Sequence, residues 1–248
     1  MIKKTLLKCG VDLRLVKNIH KSNRKEWEEN WRKQYDAMPL AKIGSIIDVG
    51  ANTGQFSAMI KKSCPNAVLY SFEPIEECFL QLEKVLQSLP NATAVRMALG
   101  DQRGIFTINK SSFTPSSSFL KMGDLHKRDW PQSSNHKTER VEMSTLDDFF
   151  SDICLEPEVL VKIDVQGYEA QVIGGGNKTL GRAFAAVIET SFYELYEGQR
   201  LFDEIYDLMA GLGFTYQGNL DQYVSPIDSR ILQADSLFLN KSRLGDLK

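Results

Sequence analysis

From residue 45 onward, short runs of β-branched and other apolar residues alternate with amphipathic stretches. Residues 45–49 read as a buried strand, 55–62 as a helix turning Phe56, Met59 and Ile60 inward, and 68–72 as the next strand. Ile75, Phe79, Leu82, Leu86 and Leu89 share one helical face, and Pro90 ends that helix. The pattern predicts further strands at 93–98, 159–164, 185–189, 214–217 and 236–238. It also predicts helices over 168–180 and through Leu201, Ile205, Leu208 and Leu212, the latter stopped by Gly213. Strand–helix alternation with continuously apolar strands argues for a parallel sheet covered on both faces. Such sheets place ligands beyond the carboxyl ends of their strands, so the segments following each strand are where chemistry is expected.

Two regions depart from this rhythm. Residues 1–40 read as a charged helical arm, with Leu6, Cys9, Leu13 and Val16 on one face. Asn23 and Glu26 fit a cap and its third-position partner, and Trp27, Trp31, Tyr35 and Met38 then form an aromatic face. That face can pack on the main domain, close over a substrate pocket, or serve a homodimer. Between the third and fourth core strands, residues 104–109 and 141–145 have strand pattern, and 110–138 form a long polar loop that can act as a lid. The main domain spans 41–248.

Composition narrows the class. The chain has 248 residues, 42% hydrophobic and 25% charged, the profile of an ordinary globular domain. With 30 Lys+Arg against 32 Asp+Glu, its net charge of −2 argues against a nucleic-acid partner. Cys9, Cys64, Cys78 and Cys154 lack C-x-x-C or metal-ligand spacing, which fits free thiols in a reducing cytoplasm and no dedicated metal site. No apolar run reaches the ~18 residues of a membrane span. Lys8, Asp12, Arg14 and Lys17 interrupt what would be the apolar part of a signal peptide.

The first strand ends in Asp48-Val49-Gly50-Ala51-Asn52-Thr53-Gly54-Gln55. Gly50 and Gly54 permit a sharp turn and close approach to a ligand. Their spacing is neither the dinucleotide fingerprint nor a P-loop. An acid before such a turn repels a pyrophosphate but suits a cationic ligand, such as an amino-acid ammonium next to a sulfonium. The second strand ends in Ser71-Phe72-Glu73-Pro74. Glu73 follows Asp48 by 73 − 48 = 25 positions, near the roughly 20-residue spacing at which an acid meets ribose hydroxyls. Together the two acids point to a nucleoside site.

These residues resemble class I S-adenosylmethionine-dependent methyltransferases. The run Val161-Lys162-Ile163-Asp164-Val165-Gln166-Gly167-Tyr168-Glu169, then Val172-Ile173-Gly174-Gly175, is similar to the fourth-strand motif of the FkbM family. Ile188-Glu189, Leu195 to Gln199 and the closing Ala234 to Phe238 also look like that family. The resemblance implies a Rossmann-like α/β fold: a seven-stranded, mostly parallel sheet with an antiparallel last strand and helices on both faces. It implies S-adenosyl-L-methionine as cofactor, contacted by Gly50, Asn52, Gly54 and Glu73 and by the flanking Gln55 and Pro74. Asp48 would lie near the methionine end, and Ala98, Leu99 and Asp101 would line the adenine pocket. The implied activity is O-methylation of a sugar, glycan or natural-product hydroxyl, with a small-molecule or carbohydrate acceptor.

Methyl transfer to an alcohol profits from a group that takes the proton, by a factor of about 10²–10⁴. Asp164, at the end of the fourth strand, is favoured as base or acceptor-orienting group, and also stands beside the cofactor. Glu169 is second and Glu189 third. Lys162 reads as a strand lysine that faces solvent or pairs an acid, or as the cation that holds Asp164 or Glu169 in place. Glu169 can instead be an acid favoured by a helix N-terminus. His126 and His136 read as exposed loop residues unless the loop closes. Ser116, Ser117 and Ser118 read as a polar loop tip. Lys121, His126, Lys127 and Arg128 form a local basic cluster. Two rival readings are an NAD-dependent Rossmann oxidoreductase, against which the glycine spacing speaks, and a cofactor-binding module without catalysis.

Overall fold

A computed structural model describes residues 40–243. The expected helical arm, its aromatic face, Cys9 and His20 lie outside the described residues. The core is a seven-stranded sheet of order β3-β2-β1-β7-β8-β10-β9. Its strands are β1 (Ser45–Val49), β2 (Val68–Phe72), β3 (Ala92–Val95), β7 (Val159–Ile163), β8 (Ala185–Ser191), β9 (Phe214–Val224) and β10 (Ile231–Asn240). All pairings are parallel except those of β10, which runs antiparallel to both β8 and β9. This is the predicted sheet with its antiparallel last strand. Strands β1 and β7 bury every residue, as expected where helices cover both faces.

The principal helices are α1 (Gln55–Ser63), α2 (Glu76–Leu86) and α7 (Phe202–Gly211). Helix α1 buries Phe56, Met59 and Ile60 as read from the sequence, and α2 buries Leu82 and Leu86 of its stripe. On α7 Ile205 is buried as expected, but Leu208 faces solvent and Met209, one position on, is buried in its place. One core cluster runs from Ile47 and Phe72 through Val161, Ile163 and Ile188 to Phe214 and Phe238. Fully burying side chains of this size stabilises by about 1.5–3 kcal/mol each.

Three expectations change. The segment 93–98 is not one strand: β3 ends at Val95, and β4 (Ala98–Leu99) leaves the main sheet to pair with β6 (His136–Ser144). Strand β6 also pairs antiparallel with β5 (Gly104–Ser111), giving a second sheet of order β4-β6-β5. The helix expected over 168–180 breaks at Gly175-Gly176 into α5 (Glu169–Gly174) and α6 (Asn177–Gly181). The Asp147 carboxylate, on α4 (Leu146–Phe149), accepts from the backbone N–H of Lys178 and Thr179 and so starts the second piece. Lastly, the loop between β5 and β6 is ordered. It holds two short 3₁₀ turns and α3 (Asp124–Asp129). Leu120, Met122, Leu125 and Trp130 pack on Leu195, Tyr196 and Leu232.

Among the described residues, no helix is long and apolar enough to cross a membrane. Cys64, Cys78 and Cys154 are free.

Candidate active site

The turn after β1 places its backbone where only glycine fits. Gly50 has φ 82°, and a Cβ there would lie 1.8 Å from the Asp164 carbonyl oxygen. The turn after β1 and the end of β7 are therefore in backbone contact, reinforced by Asp164 N–H donating to the Val49 carbonyl at 3.0 Å. Gly54 and Asn52 also take positive φ.

Asp48 is fully buried. Its Oδ2 accepts from Ser57 Oγ at 2.6 Å, and Ser57 Oγ in turn lies 2.8 Å from Ser71 Oγ. Its Oδ1 is buried without a hydrogen-bond partner. Burial raises its pKa, against the Lys162 charge and the Ser57 bond. Glu73, at the end of β2, is buried too. Its Oε2 accepts from the Asn52 N–H at 2.9 Å and its Oε1 from the Ile75 N–H at 2.8 Å. Burial pushes its pKa up to about 7, although both backbone donors oppose the shift. Pro74 lies between Glu73 and Ile75, and Gln55 opens α1. Ala98 and Leu99 are buried on β4, whereas Asp101 is exposed.

The other carboxylates meet at the ends of β7, β8 and β10. Lys162 Nζ sits 2.9 Å from Asp164 Oδ2, with its side chain 9% exposed against 28% for Asp164. Asp164 Oδ1 accepts from Gln166 Nε2 at 2.9 Å. Burial would raise Asp164, but Lys162 and the Gln166 amide outweigh it and hold the carboxyl below its usual range. Burial likewise works against the Lys162 ammonium, and the surrounding Asp164, Asp48 and Asp235 charges keep it protonated. Glu189 is buried, and its Oε2 accepts from Gln166 Nε2 at 2.6 Å and Gln233 Nε2 at 2.8 Å. Burial, then the Asp164, Glu169 and Asp235 charges, drive its pKa well above the usual carboxyl value. The two neighbouring carboxyl groups are thus shifted in opposite directions, and such a pair titrates as a unit.

Glu169 does not join that pair. Its Oε1 accepts from the N–H groups of Val165 and Gly167 at 3.0 and 3.1 Å, tying down the turn that presents Gln166. Burial raises it to about 7 despite those bonds. Both donors belong to the turn that precedes α5.

The ordered loop corrects further expectations. His126 is buried, with Nε2 3.2 Å from Ser116 Oγ and its ring 5.0–5.1 Å from Trp130 and Tyr196. Burial lowers its pKa to about 4. His136 is exposed, as expected. Ser116 and Ser118 are buried rather than at a tip, and Ser118 Oγ donates to the Gln166 carbonyl at 2.6 Å. The basic cluster is matched by acids, with Lys121 on Glu197, Lys127 on Asp124, and Arg128 on Asp129 and Asp228.

Residues the sequence did not single out complete the site. Gln166 adopts φ 57°, and the Tyr196 hydroxyl donates to its Oε1 at 2.9 Å. Asp235 pairs with Glu189 across β10 and β8, and with Asp221 across β10 and β9. Burial and neighbouring acids, opposed by Lys162, raise Asp235 to about 6. The only sequence signal for Asp235 was its place in the closing Ala234 to Phe238 run.

The sheet order, the glycine turn after β1 and the acids closing β1, β2 and β7 define a Rossmann-like crevice of the class I methyltransferase type. The methyltransferase FkbM domain matches residues 48–216, and the chain belongs to that family. It is 31% identical over 180 residues to 2-O-methyltransferase NoeI of Sinorhizobium fredii (strain NBRC 101917 / NGR234), covering 66% of this chain and 70% of that protein. It is 26% identical to Methyltransferase 1 of Beauveria bassiana (strain ARSEF 2860), over 58% of this chain and 62% of that protein. It is 28% identical to Methyltransferase sdnD of Sordaria araneosa, over 57% of this chain and 63% of that protein. The chain therefore spans less than two thirds of the length of the last two.

Proposed function

We propose that this chain transfers a methyl group from S-adenosylmethionine to a hydroxyl of a sugar, glycan or natural-product acceptor. Family membership supports methyl transfer, and similarity to a protein named as a 2-O-methyltransferase supports oxygen as the acceptor atom. The observation that carries the reading is the backbone contact of the Gly50 turn with Asp164. It sets the expected nucleoside-side residues directly beside an ionised carboxylate held by Lys162.

The residues fit the cofactor. Asp48 Oδ1 is a buried acceptor without a partner, suited to an ammonium directly or through water. Glu73 offers two carboxylate oxygens now taken by single backbone donors, with acceptor capacity left for ribose hydroxyls. Gly50 and Gly54 bring backbone rather than side chains to the crevice, Asn52 stands between them, and Gln55 and Pro74 are assigned to its edges. Ala98, Leu99 and Asp101 are assigned to the adenine side. S-adenosylmethionine, when bound, supplies a methyl on a sulfonium that departs with the C–S bonding pair as a neutral thioether.

The chain's own residues do the rest. Asp164, the more exposed partner of its ion pair, accepts a hydrogen bond from the acceptor hydroxyl and aims its oxygen. Aligned positioning of this kind can supply about 7–11 kcal/mol of a barrier. The hydroxyl proton passes to the Asp164–Glu189 pair. Lys162 keeps Asp164 ionised until then, and Glu169 holds the turn that carries Gln166.

Calorimetry with S-adenosylhomocysteine and with NAD tests the assignment. Binding of the first without the second is expected; the reverse would restore the oxidoreductase reading. Transfer of labelled methyl to a panel of methyl glycosides then tests the acceptor class. Cofactor binding without transfer to any glycoside or polyol would favour the non-catalytic module.

A further inference from the structure

Gln166 occupies an unusual position for its residue type. At φ 57° it sits in the left-handed region, which costs a non-glycine residue roughly 1–2 kcal/mol. Something must hold it there, and three contacts do. Ser118 Oγ, from the ordered loop, donates to its carbonyl at 2.6 Å. Glu169 pins the N–H groups of Val165 and Gly167 on either side. The buried Tyr196 hydroxyl donates to its side-chain Oε1 at 2.9 Å. The far end of the amide decides which way it faces, because a flip would turn Oε1 onto Asp164 Oδ1 at 2.9 Å, two acceptors with no hydrogen between them, and the Tyr196 proton, shared with the Ser116 carbonyl at 3.2 Å, suits the oxygen end. With Oε1 committed to Tyr196, Nε2 directs its hydrogens at Asp164 Oδ1 and Glu189 Oε2, at 2.9 and 2.6 Å.

We propose that Gln166 is a positioning residue of the reaction: oriented by Tyr196, its amide clamps the Asp164 and Glu189 carboxyl groups into one proton-holding pair. The inference rests on the functional reading above and adds to it the element that governs the pair. Two carboxyl groups this close repel when both ionise. A neutral donor to both favours their ionised forms without adding a charge. The clamp thus lowers the pair's proton affinity to a level at which it can accept the acceptor's proton and release it again. It also couples the loop to the chemistry, since Ser118 donates to the Gln166 carbonyl and the Gln166 amide donates to both carboxyl groups. The other titratable groups facing the pair are Lys162 on β7, Glu169 on α5, Asp235 on β10, Tyr223 on β9, Asp48 on β1 and Tyr196 itself.

The test is an infrared titration of the protonated-carboxyl band in the full chain, free and with S-adenosylhomocysteine. The band of the pair is identified by its loss in Glu189→Gln. Removing the donor in Gln166→Met is expected to move the midpoint up by about one pH unit, a roughly tenfold gain in proton affinity. Tyr196→Phe leaves the amide in place but free to turn, and is expected to move the midpoint the same way by a smaller amount. Removing one oxygen makes Tyr196→Phe the safer variant should Gln166→Met fail to fold. Midpoints unmoved in the folded variants would overturn the proposal, as would a downward shift. Failure of the wild type to bind S-adenosylhomocysteine would defeat the functional reading instead, and the titration of the free protein would still decide the clamp.

Discussion

The two halves of the crevice use the same side chain in opposite ways. On the β1–β2 side, Glu73 is satisfied by backbone N–H groups, donors that cannot move or titrate. On the β7–β8 side, Asp164 and Glu189 are satisfied by Lys162, Gln166 and Gln233, side chains that carry charge or can reorient. Burial raises the proton affinity of Glu73 and of Glu189 alike. In the second region the Lys162 ammonium holds Asp164 below its usual range while burial and neighbouring acids drive Glu189 above its own. Backbone-held acids make a fixed receptor for hydroxyls; side-chain-held acids make a device that can exchange a proton. Glu169, gripped by two N–H groups, belongs with the first kind although it lies in the second region.

That contrast can be broken by mutation. Asp164→Asn is expected to leave S-adenosylhomocysteine affinity within about twofold and to reduce turnover by about 10²–10⁴, read by calorimetry and labelled-methyl transfer. Normal turnover would remove Asp164 from the role of proton acceptor. Glu73→Ala is expected to do the reverse, weakening S-adenosylhomocysteine binding by about 10²-fold through the loss of charge-assisted bonds to hydroxyls; unchanged affinity would show that the nucleoside binds elsewhere.

Glu169→Gln sharpens the division, because a Gln oxygen can still accept both N–H bonds. Glu169 titrates near its ordinary value of 4.5 when unfolded and at about 7 when folded. The folded protein therefore binds more protons across that window, and stability is lost as pH rises through it. The variant should lack that loss, on the order of 3 kcal/mol for a shift of this size, seen as a flatter dependence of Tm on pH between 4.5 and 7. An unchanged slope would show that the carboxyl is not buried as described. The smallest effect is expected for His126→Gln. With its pKa near 4, His126 is neutral throughout the physiological range, so the shape of the pH–rate profile around neutrality should not change. A lost inflection would make the loop histidine the base.

The main sheet was legible because its strands are short, continuous apolar runs: β1 and β2 match their predicted limits residue for residue. The break between α5 and α6 was written in Gly174-Gly175-Gly176, yet the apolar spacing on either side read through it. The length of β9 was not legible, since residues 218–224 lie on a sheet edge and scatter Leu220, Tyr223 and Val224 among Gly218, Asn219, Asp221 and Gln222 without a strand's alternation. His126 reads as a surface residue from its basic neighbours. Its burial depends on Tyr196, 70 positions away in sequence, and on Trp130. The acids at strand ends were visible as residue types, but two roles required distances. Glu169 turns to the backbone, and Gln166, quoted only as part of a motif, bridges the two acids. Asp235 reaches the site through antiparallel register with Glu189, which no local pattern encodes.

The most direct measurement is a crystal structure of the full chain with S-adenosylhomocysteine. The account predicts ribose hydroxyls on the Glu73 carboxylate, the amino-acid end toward Asp48, and the sulfur beside Asp164 with room for an acceptor oxygen between them. A nucleoside seated away from the ends of β1 and β2, or a sulfur screened from Asp164, would contradict it.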